Sequence, residues 1–445
     1  MHSVRTFLAG TRCRSDRSAR RSTHSAAARS GSRASRETPV PFPLAHARAA
    51  SSSIRARGIG AGLLAFSSAA LLAGCAGATS GTGMSGAADA PVLSVVATTT
   101  QICDYTTSII ASAPAGSGLV LDKTGADGRK ETIAPTGDPK RRIALTCLLA
   151  PNASAHEHEM TPQQAKALAH ADVLLVNGVD LEHFLDSAVE ASGFSGVMGV
   201  TSGVLTAREI DAPAKTQASE KNLPYRVSRG EGRVDVAKWP FPPSEGESAP
   251  EFTYDPHVWT SPKNAAIQVA NIGKFLGAAD EEDAEALKAG ADAYATTLDE
   301  LDGWAAASID SVPKENRVLF SSHDAFGYLS ARYGLEFIGS ALSDFNEQQD
   351  ATAEHIRSAA EQVRASGAKA IFAENSNNSK SIEAIARAAG VTAVIGDDAL
   401  YGDSLGPAGS AGETYVGSIA HNVETIVGAW GGTLAPVPAD VEAAK

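Results

Sequence analysis

The 445-residue chain has only four cysteines, 6% aromatic residues and 20% charged residues, and its only long uncharged apolar stretch lies near the start. Four cysteines cannot staple a chain of this length, so a disulfide miniprotein is excluded. With a single apolar stretch, a multi-span membrane protein is excluded too. No GxxxxGK[ST] phosphate loop occurs, so the chain carries no ATP site of that type. Basic patches are also missing beyond residue 60. Residues 1–60 hold twelve Arg against Asp16 and Glu37, a balance of +10, which leaves −23 of the overall −13 for the rest. An acidic body repels phosphate backbones and attracts cations, which argues against nucleic acid as a partner and leaves small cations open. What is present is 43% hydrophobic content, enough over this length for two α/β cores.

The apolar stretch runs from Gly58 to Gly74, follows Arg55 and Arg57, and ends in Leu71-Leu72-Ala73-Gly74-Cys75. A basic lead, an apolar run and small residues at the end form a secretory signal, here short and Ala/Gly-rich for a permanent membrane helix. The Leu-Leu-Ala-Gly-Cys ending resembles the bacterial lipoprotein signal, which implies residues 1–74 as leader and Cys75 as the acylated first residue. Two acyl chains at about 0.8 kcal/mol per buried CH₂ would hold such a protein on a membrane. Residues 75–90, rich in Gly, Ser, Ala and Thr, read as a flexible tether. Of the cysteines left, Cys103 and Cys147 are an even pair in an exported body. A disulfide between them would close a loop worth about 4 kcal/mol in the chain-entropy model; two buried free thiols are the alternative.

β-Branched runs at Val92–Ala97, Ile143–Leu149, Val173–Val176 and Val197–Val200 alternate with helix-like stretches near 101–112, 161–170 and 181–192. The pattern returns at Val318–Phe320, Leu335–Ile338, Ala370–Ala373 and Val391–Ile395. Such alternation predicts an α/β fold of two doubly wound domains, residues 91–280 and 313–433, with 434–445 as a tail. Between them, Leu287, Ala291, Tyr294, Leu298, Leu301 and Ala305 fall on one helical face, predicting a linking helix within 281–312, opened by the acidic run Asp280–Asp283. Pro114–Arg142 and Thr206–Tyr254 read as insertions.

Three histidines stand after strands or in loops: His156 in His156-Glu157-His158-Glu159-Met160-Thr161-Pro162, His257 in Asp255-Pro256-His257-Val258-Trp259, and His323 in His323-Asp324-Ala325-Phe326. Loops beyond the strand ends of α/β sheets form the ligand crevice, which in a two-domain protein becomes the interdomain cleft. These segments resemble the metal-binding substrate-binding lipoproteins of bacterial zinc and manganese ABC importers, cluster A-I, zinc type. Further motifs carry the resemblance: Thr98-Thr99-Thr100-Gln101-Ile102 looks like the family's opening turn, and Tyr401-Gly402-Asp403-Ser404-Leu405 like its fourth ligand motif. The resemblance implies His156, His257, His323 and Asp403 as metal ligands. Three imidazoles and a carboxylate suit Zn²⁺ at about 2.0–2.2 Å, with Mn²⁺ second.

Two departures stand out. Ser154-Ala155 replaces the Asp-Pro usual before the first His, and His158 replaces the tyrosine of HEYE. His158 is thus either an extra metal contact at the cleft mouth or a filler of the ring's space. Residues 184–256 hold no His, so the His-rich loop of many zinc members is missing. Glu374, ending a predicted strand, is a candidate acceptor for a ligand imidazole N–H, with a surface ion pair as its alternative. His170, His183, His355 and His421 lie on predicted helices in solvated or packing roles.

Enzyme readings fare worse. Met160 breaks both HExxH and HxHxDH, and a fourth protein ligand would close the open position that catalytic zinc needs. Gly402-Asp403-Ser404-Leu405-Gly406 matches GxSxG and GDSL, but Pro407 and Gly409 follow where the nucleophile elbow requires a helix. The expectation is a non-enzymatic, monomeric carrier on the outer face of the cytoplasmic membrane. It would bring Zn²⁺ to an ABC permease with a cytoplasmic ATPase; a secreted zinc hydrolase, a Mn²⁺-binding member and a surface adhesin are the alternatives.

Overall fold

The computed structural model describes residues 92–133, 139–241, 250, 252–341 and 352–445. The signal stretch, Cys75 and the tether lie outside them.

Two sheets organise the fold. The first holds β1 (Val92–Ala97), β2 (Leu119–Thr124), β3 (Lys130–Ile133), β4 (Arg141–Cys147), β5 (Val173–Val176), β6 (Val197–Val200) and β7 (Arg226–Ser228) in the order β3-β2-β4-β1-β5-β6-β7. Its neighbours are parallel except in the β2–β3 hairpin. The second is parallel throughout: β8 (Val318–Ser321), β9 (Glu336–Ser340), β10 (Ala370–Phe372) and β11 (Thr392–Val394) in the order β11-β10-β8-β9. The helices are α1 (Thr100–Ala111), α2 (Pro162–Ala169), α3 (Leu185–Ser192), α4 (Ala207–Asp211), α5 (Pro213–Glu220), α6 (Pro262–Ala279), α7 (Ala284–Asp310), α8 (Gly327–Tyr333), α9 (Ala353–Ser366), α10 (Lys380–Ala389), α11 (Tyr415–Ala429) and α12 (Ala439–Ala444).

β1 lies between β4 and β5, and β8 between β10 and β9. Each is the strand from which the chain builds outward in both directions, so the loops at its carboxyl end diverge and leave a crevice. His156 follows β4, and His323 follows β8.

The stretches read as insertions carry structure. Pro114–Arg142 contains β2 and β3, because Leu119, Val120 and Leu121 bury their side chains and extend the sheet beyond β4. Thr206–Tyr254 supplies α4, α5 and β7, which continue the winding past β6.

α7 spans 27 residues, or about 40 Å. Its stripe of Leu287, Ala291, Tyr294, Leu298, Leu301 and Ala305 is buried, and α7 packs against α6 and α1 in one lobe and α8, α11 and α12 in the other. A Cβ at Gly290 would lie 2.2 Å from the carbonyl oxygen of Ile109, so this glycine permits the close crossing of α1 and α7. The acidic run does not form the helix's first turn. Asp280 closes α6 and pairs with Arg141, and α7 begins only after Asp283. Residues 434–445, expected as a tail, pack on the body: Trp304 donates to Ala435 O, Val441 is buried, and α12 packs on α7 and α11. One continuous apolar core runs from β1 through α6 and α7 to α11, so the lobes share packing as well as a covalent link.

Cys103 on α1 and Cys147 at the end of β4 form a disulfide, with Cα atoms 5.7 Å apart. It fixes α1 to the strand that leads into the His156 loop.

Candidate metal centre

Short-range signals place each donor. Thr161 and Gln164 form a reciprocal capping box with Pro162 in the first turn of α2, which ends the loop carrying His156. His257 precedes a single 3₁₀ turn, Val258–Thr260, and then Pro262 starts α6. His323 lies just beyond β8, before α8. Asp403 sits in the loop between β11 and α11, whose start Thr414 caps by accepting from Gly417 N–H.

The structure brings the four together. Their ligand atoms lie within 4.8 Å of one another, and all four residues are buried. His257 Nε2 is 3.1 Å from His156 Nε2 and 3.3 Å from His323 Nε2, while Asp403 Oδ1 is 3.5 Å from His257 Nε2 and 3.3 Å from His323 Nε2. A regular tetrahedron with vertices 2.0–2.1 Å from its centre has edges of about 3.3–3.4 Å, so these four of its six edges are near those of a zinc-sized hole, while the Asp403 oxygen facing His156 Nε2 is Oδ2, at 3.6 Å. The second oxygen of Asp403 is engaged elsewhere: Ser154 Oγ donates to Oδ2 at 2.8 Å and accepts from His156 N–H at 3.2 Å. Ser154, noted in the sequence as a departure, thus joins the first and fourth motifs, with Asp403 Oδ1 toward His257 and His323 and Oδ2 3.6 Å from His156 Nε2.

Around the donors lies a ring of acids. Asp255 Oδ1 accepts from His257 Nδ1 at 2.8 Å and from its backbone N–H at 3.0 Å, fixing the tautomer that points Nε2 inward. The role expected of Glu374 therefore falls to Asp255. Glu374 instead holds the Asp403 loop, accepting from Asp403 N–H at 2.6 Å and Ser376 Oγ at 3.1 Å. Its approach depends on Gly402, where a Cβ would lie 2.2 Å from Glu374 Oε1. The Asp-Pro-His spacing was the available signal for Asp255; Ser154 stood out only as a departure and Gly402 only as a member of the fourth motif, with nothing local to show what either does.

Burial splits the titrations. It pushes His156 down to about 4, against the pull of Asp403. His257 also pays for burial, but its bonds to Asp255 and Asp403 and their charges outweigh that and hold it at about 9. Asp403 stays well below the carboxylate range despite burial, because His323 and His156 face it. Glu374 is pushed up to about 7 by burial and by Asp403, and Asp324 to about 6 by burial. Without metal, Asp403 and Asp255 thus balance the His257 proton; a dication would displace that proton and be balanced by the same two carboxylates.

His158 lies outside the cluster, edge-on to Phe184 with ring centroids 4.9 Å apart, and lines a polar cavity of about 530 Å³ with Ser154, Glu157, Glu159, Ser376 and Asn378. His183 sits on the turn before α3, stacked on Phe252 at 5.4 Å, and His421 meets Ala399 O at 3.0 Å beside Tyr401. No helix among the described residues is long and apolar enough to cross a membrane.

Comparisons with known proteins agree with this architecture. The family model described as zinc-uptake complex component A, periplasmic (ZnuA), matches residues 132–429. The zinc-binding protein TroA of Treponema pallidum is 30% identical over 319 residues, 68% of this chain and 90% of its own. The manganese-binding lipoprotein MntA of Halalkalibacterium halodurans is 28% identical over 337 residues, 74% of this chain and 98% of its own. The solved structure of the periplasmic zinc-binding protein TroA from Treponema pallidum aligns with a TM-score of 0.52 at 24% identity, over 77% of this chain and 99% of that one, a likeness of fold. The chain belongs to the ZnuA family and is a metal-binding, non-enzymatic substrate-binding component of an ABC importer.

Proposed function

We propose that the protein captures Zn²⁺ outside the cytoplasmic membrane, with His156, His257, His323 and Asp403 as ligands, and delivers it to the importer's permease. The observation that carries this reading is the set of four buried residues whose donor atoms lie within 4.8 Å of one another, four of the six separations falling at 3.1–3.5 Å, near a tetrahedral edge. Four such donors suit Zn²⁺, whereas Mn²⁺ favours oxygen-rich six-coordination. Delivery of Mn²⁺ is the second reading. It is favoured by the manganese-binding relative and by Asp403 Oδ2 lying 3.6 Å from His156 Nε2, where a lone pair not used by the Ser154 bond would serve as a fifth donor. Chelator-stripped protein offered equimolar Zn²⁺ and Mn²⁺, then analysed for metal, should retain one Zn²⁺ per chain. Retention of Mn²⁺ in that competition would replace zinc as the cargo.

Cys75, outside the described residues, is proposed as the lipid anchor on the outer face of that membrane. Cys75→Ala should move the protein from the membrane to the soluble fraction; a variant that stays with the membrane would overturn the anchor.

A further inference from the structure

The four donors are sealed from solvent: His156, His257, His323 and Asp403 are 7%, 0%, 2% and 0% exposed. A hydrated cation reaches them only if part of their surround moves. On one side that surround is firm. The Asp403 loop is tied to the other lobe through Leu405 N–H to Thr100 Oγ1 (2.9 Å), Gln101 Nε2 to Asp403 O (3.1 Å), Trp259 Nε1 to Gly402 O (2.8 Å) and the Ser154 bond.

Another side is aromatic and comes from the stretch read as an insertion. Trp239 N–H donates to Thr253 O at 3.1 Å and Asp255 N–H to Ala237 O at 2.9 Å, an antiparallel ribbon that runs directly into Asp255-Pro256-His257. Its rings lie over the imidazoles. Phe252 is 5.5 Å from His156, Trp239 is 6.1 Å from His257, and the two are 5.7 Å apart. Phe241 meets Phe337 of β9 edge-on at 5.1 Å, so the ribbon reaches from the lobe of His257 to the lobe of His323. Phe252 is buried while Trp239 is half-buried, which makes the indole the outer member of the wall.

Resting on the metal-binding reading above, we propose that Trp239 and Phe252 form an aromatic gate that sets the rate at which metal enters and leaves the centre. Neither ring offers a lone-pair donor to a dication, so the pair adds little to affinity. It excludes water and obstructs passage, as closing elements do. An obstruction is crossed in both directions. Lowering it therefore speeds entry and exit by the same factor and leaves the equilibrium in place.

Stopped-flow mixing of the purified protein with Zn²⁺, and of the loaded protein with excess chelator, reads the two rates. Trp239→Ala should raise both by about tenfold or more, with the dissociation constant held within about threefold, and Trp239→Phe should restore rates near those of the wild type. Unchanged rates in Trp239→Ala, with normal zinc binding by the wild type, would overturn the gate alone. Faster exit with unchanged entry would also overturn it, since the indole would then be holding the bound state. Absence of zinc binding by the wild type would overturn the proposed cargo and the gate together.

Discussion

Asp255 touches no metal in this arrangement, yet its loss should be felt at the centre. His257 is fully buried, and Asp255 Oδ1 holds both its Nδ1 and its backbone N–H. Water cannot substitute for the carboxylate there. In Asp255→Asn an amide oxygen can still accept from Nδ1, but the bond changes from charge-assisted to neutral, roughly half as strong, and the imidazole becomes a weaker donor to metal. That difference is about 1–1.5 kcal/mol, or about tenfold in zinc affinity. In Asp255→Ala the acceptor is gone and a buried N–H is orphaned, which brings the loss to about 3 kcal/mol, or about a hundredfold. Competition with a chromophoric chelator, run above the pH of about 9 at which His257 sheds its proton so that the variants' weaker hold on that proton does not offset the loss, reads both constants, and thermal melts of the metal-free proteins check that each variant folds. The ranking is the decisive part. If folded Asp255→Asn and Asp255→Ala both bind zinc as the wild type does, or if the two lose equally, the carboxylate is not setting the character of His257.

The proton balance gives a second expectation. Three imidazoles titrating at their usual 6.5 would compete with metal only below that pH, with up to three protons per ion. Here burial leaves His156 neutral down to about 4, whereas His257 keeps its proton up to about 9. Because metal binds the deprotonated ring, zinc affinity should keep rising between pH 6.5 and 8.5, by about tenfold per unit, with about one proton released per ion. A flat affinity over that range in isothermal titrations would contradict the assignment. His323→Ala should lower zinc affinity by far more than His158→Ala, since His158 packs on Phe184 outside the four donors; equal losses would bring His158 into contact with the metal. Gly402→Ala should displace Glu374 from Asp403 N–H and lower zinc affinity by about tenfold or more with the fold retained, read by the same chelator competition. Wild-type affinity in that variant would show that the loop holds Asp403 without Glu374.

Much of the molecule was legible because its signals are local. β1, β5 and β6 are short β-branched runs between turns, and the stripe from Leu287 to Ala305 repeats with helical period, so strand positions and the long helix follow from neighbours in sequence. Each histidine proposed as a ligand sits in its own motif beyond a strand or before a helix cap. β2, β3 and β7 were hidden because three to six residues flanked by Gly, Asp, Lys and Pro carry little pattern, and only pairing gives them a place, β2 on β4, β3 on β2 and β7 on β6. The same limit explains the misplaced start of α7, where Asp280 answers to Arg141 across 139 residues and not to the helix beside it.

The support of the centre divides along this line. Asp255 and His257 are two residues apart and could be read together, whereas Glu374 reaches Asp403 across 29 residues and Ser154 reaches it across 249. Read alone, Ser154-Ala155 is the loss of a motif. Read with Asp403, its hydroxyl donates to one carboxylate oxygen and so helps set how the carboxylate faces the three imidazoles, and the residue that weakens the resemblance becomes part of the centre's support. Removing that hydroxyl in Ser154→Ala leaves Oδ2, 3.6 Å from His156 Nε2, freer to turn toward a metal as a fifth donor. If coordination number is what selects the cargo, this variant should shift the Zn²⁺/Mn²⁺ competition toward Mn²⁺, and an unchanged preference would place selectivity in the imidazoles instead.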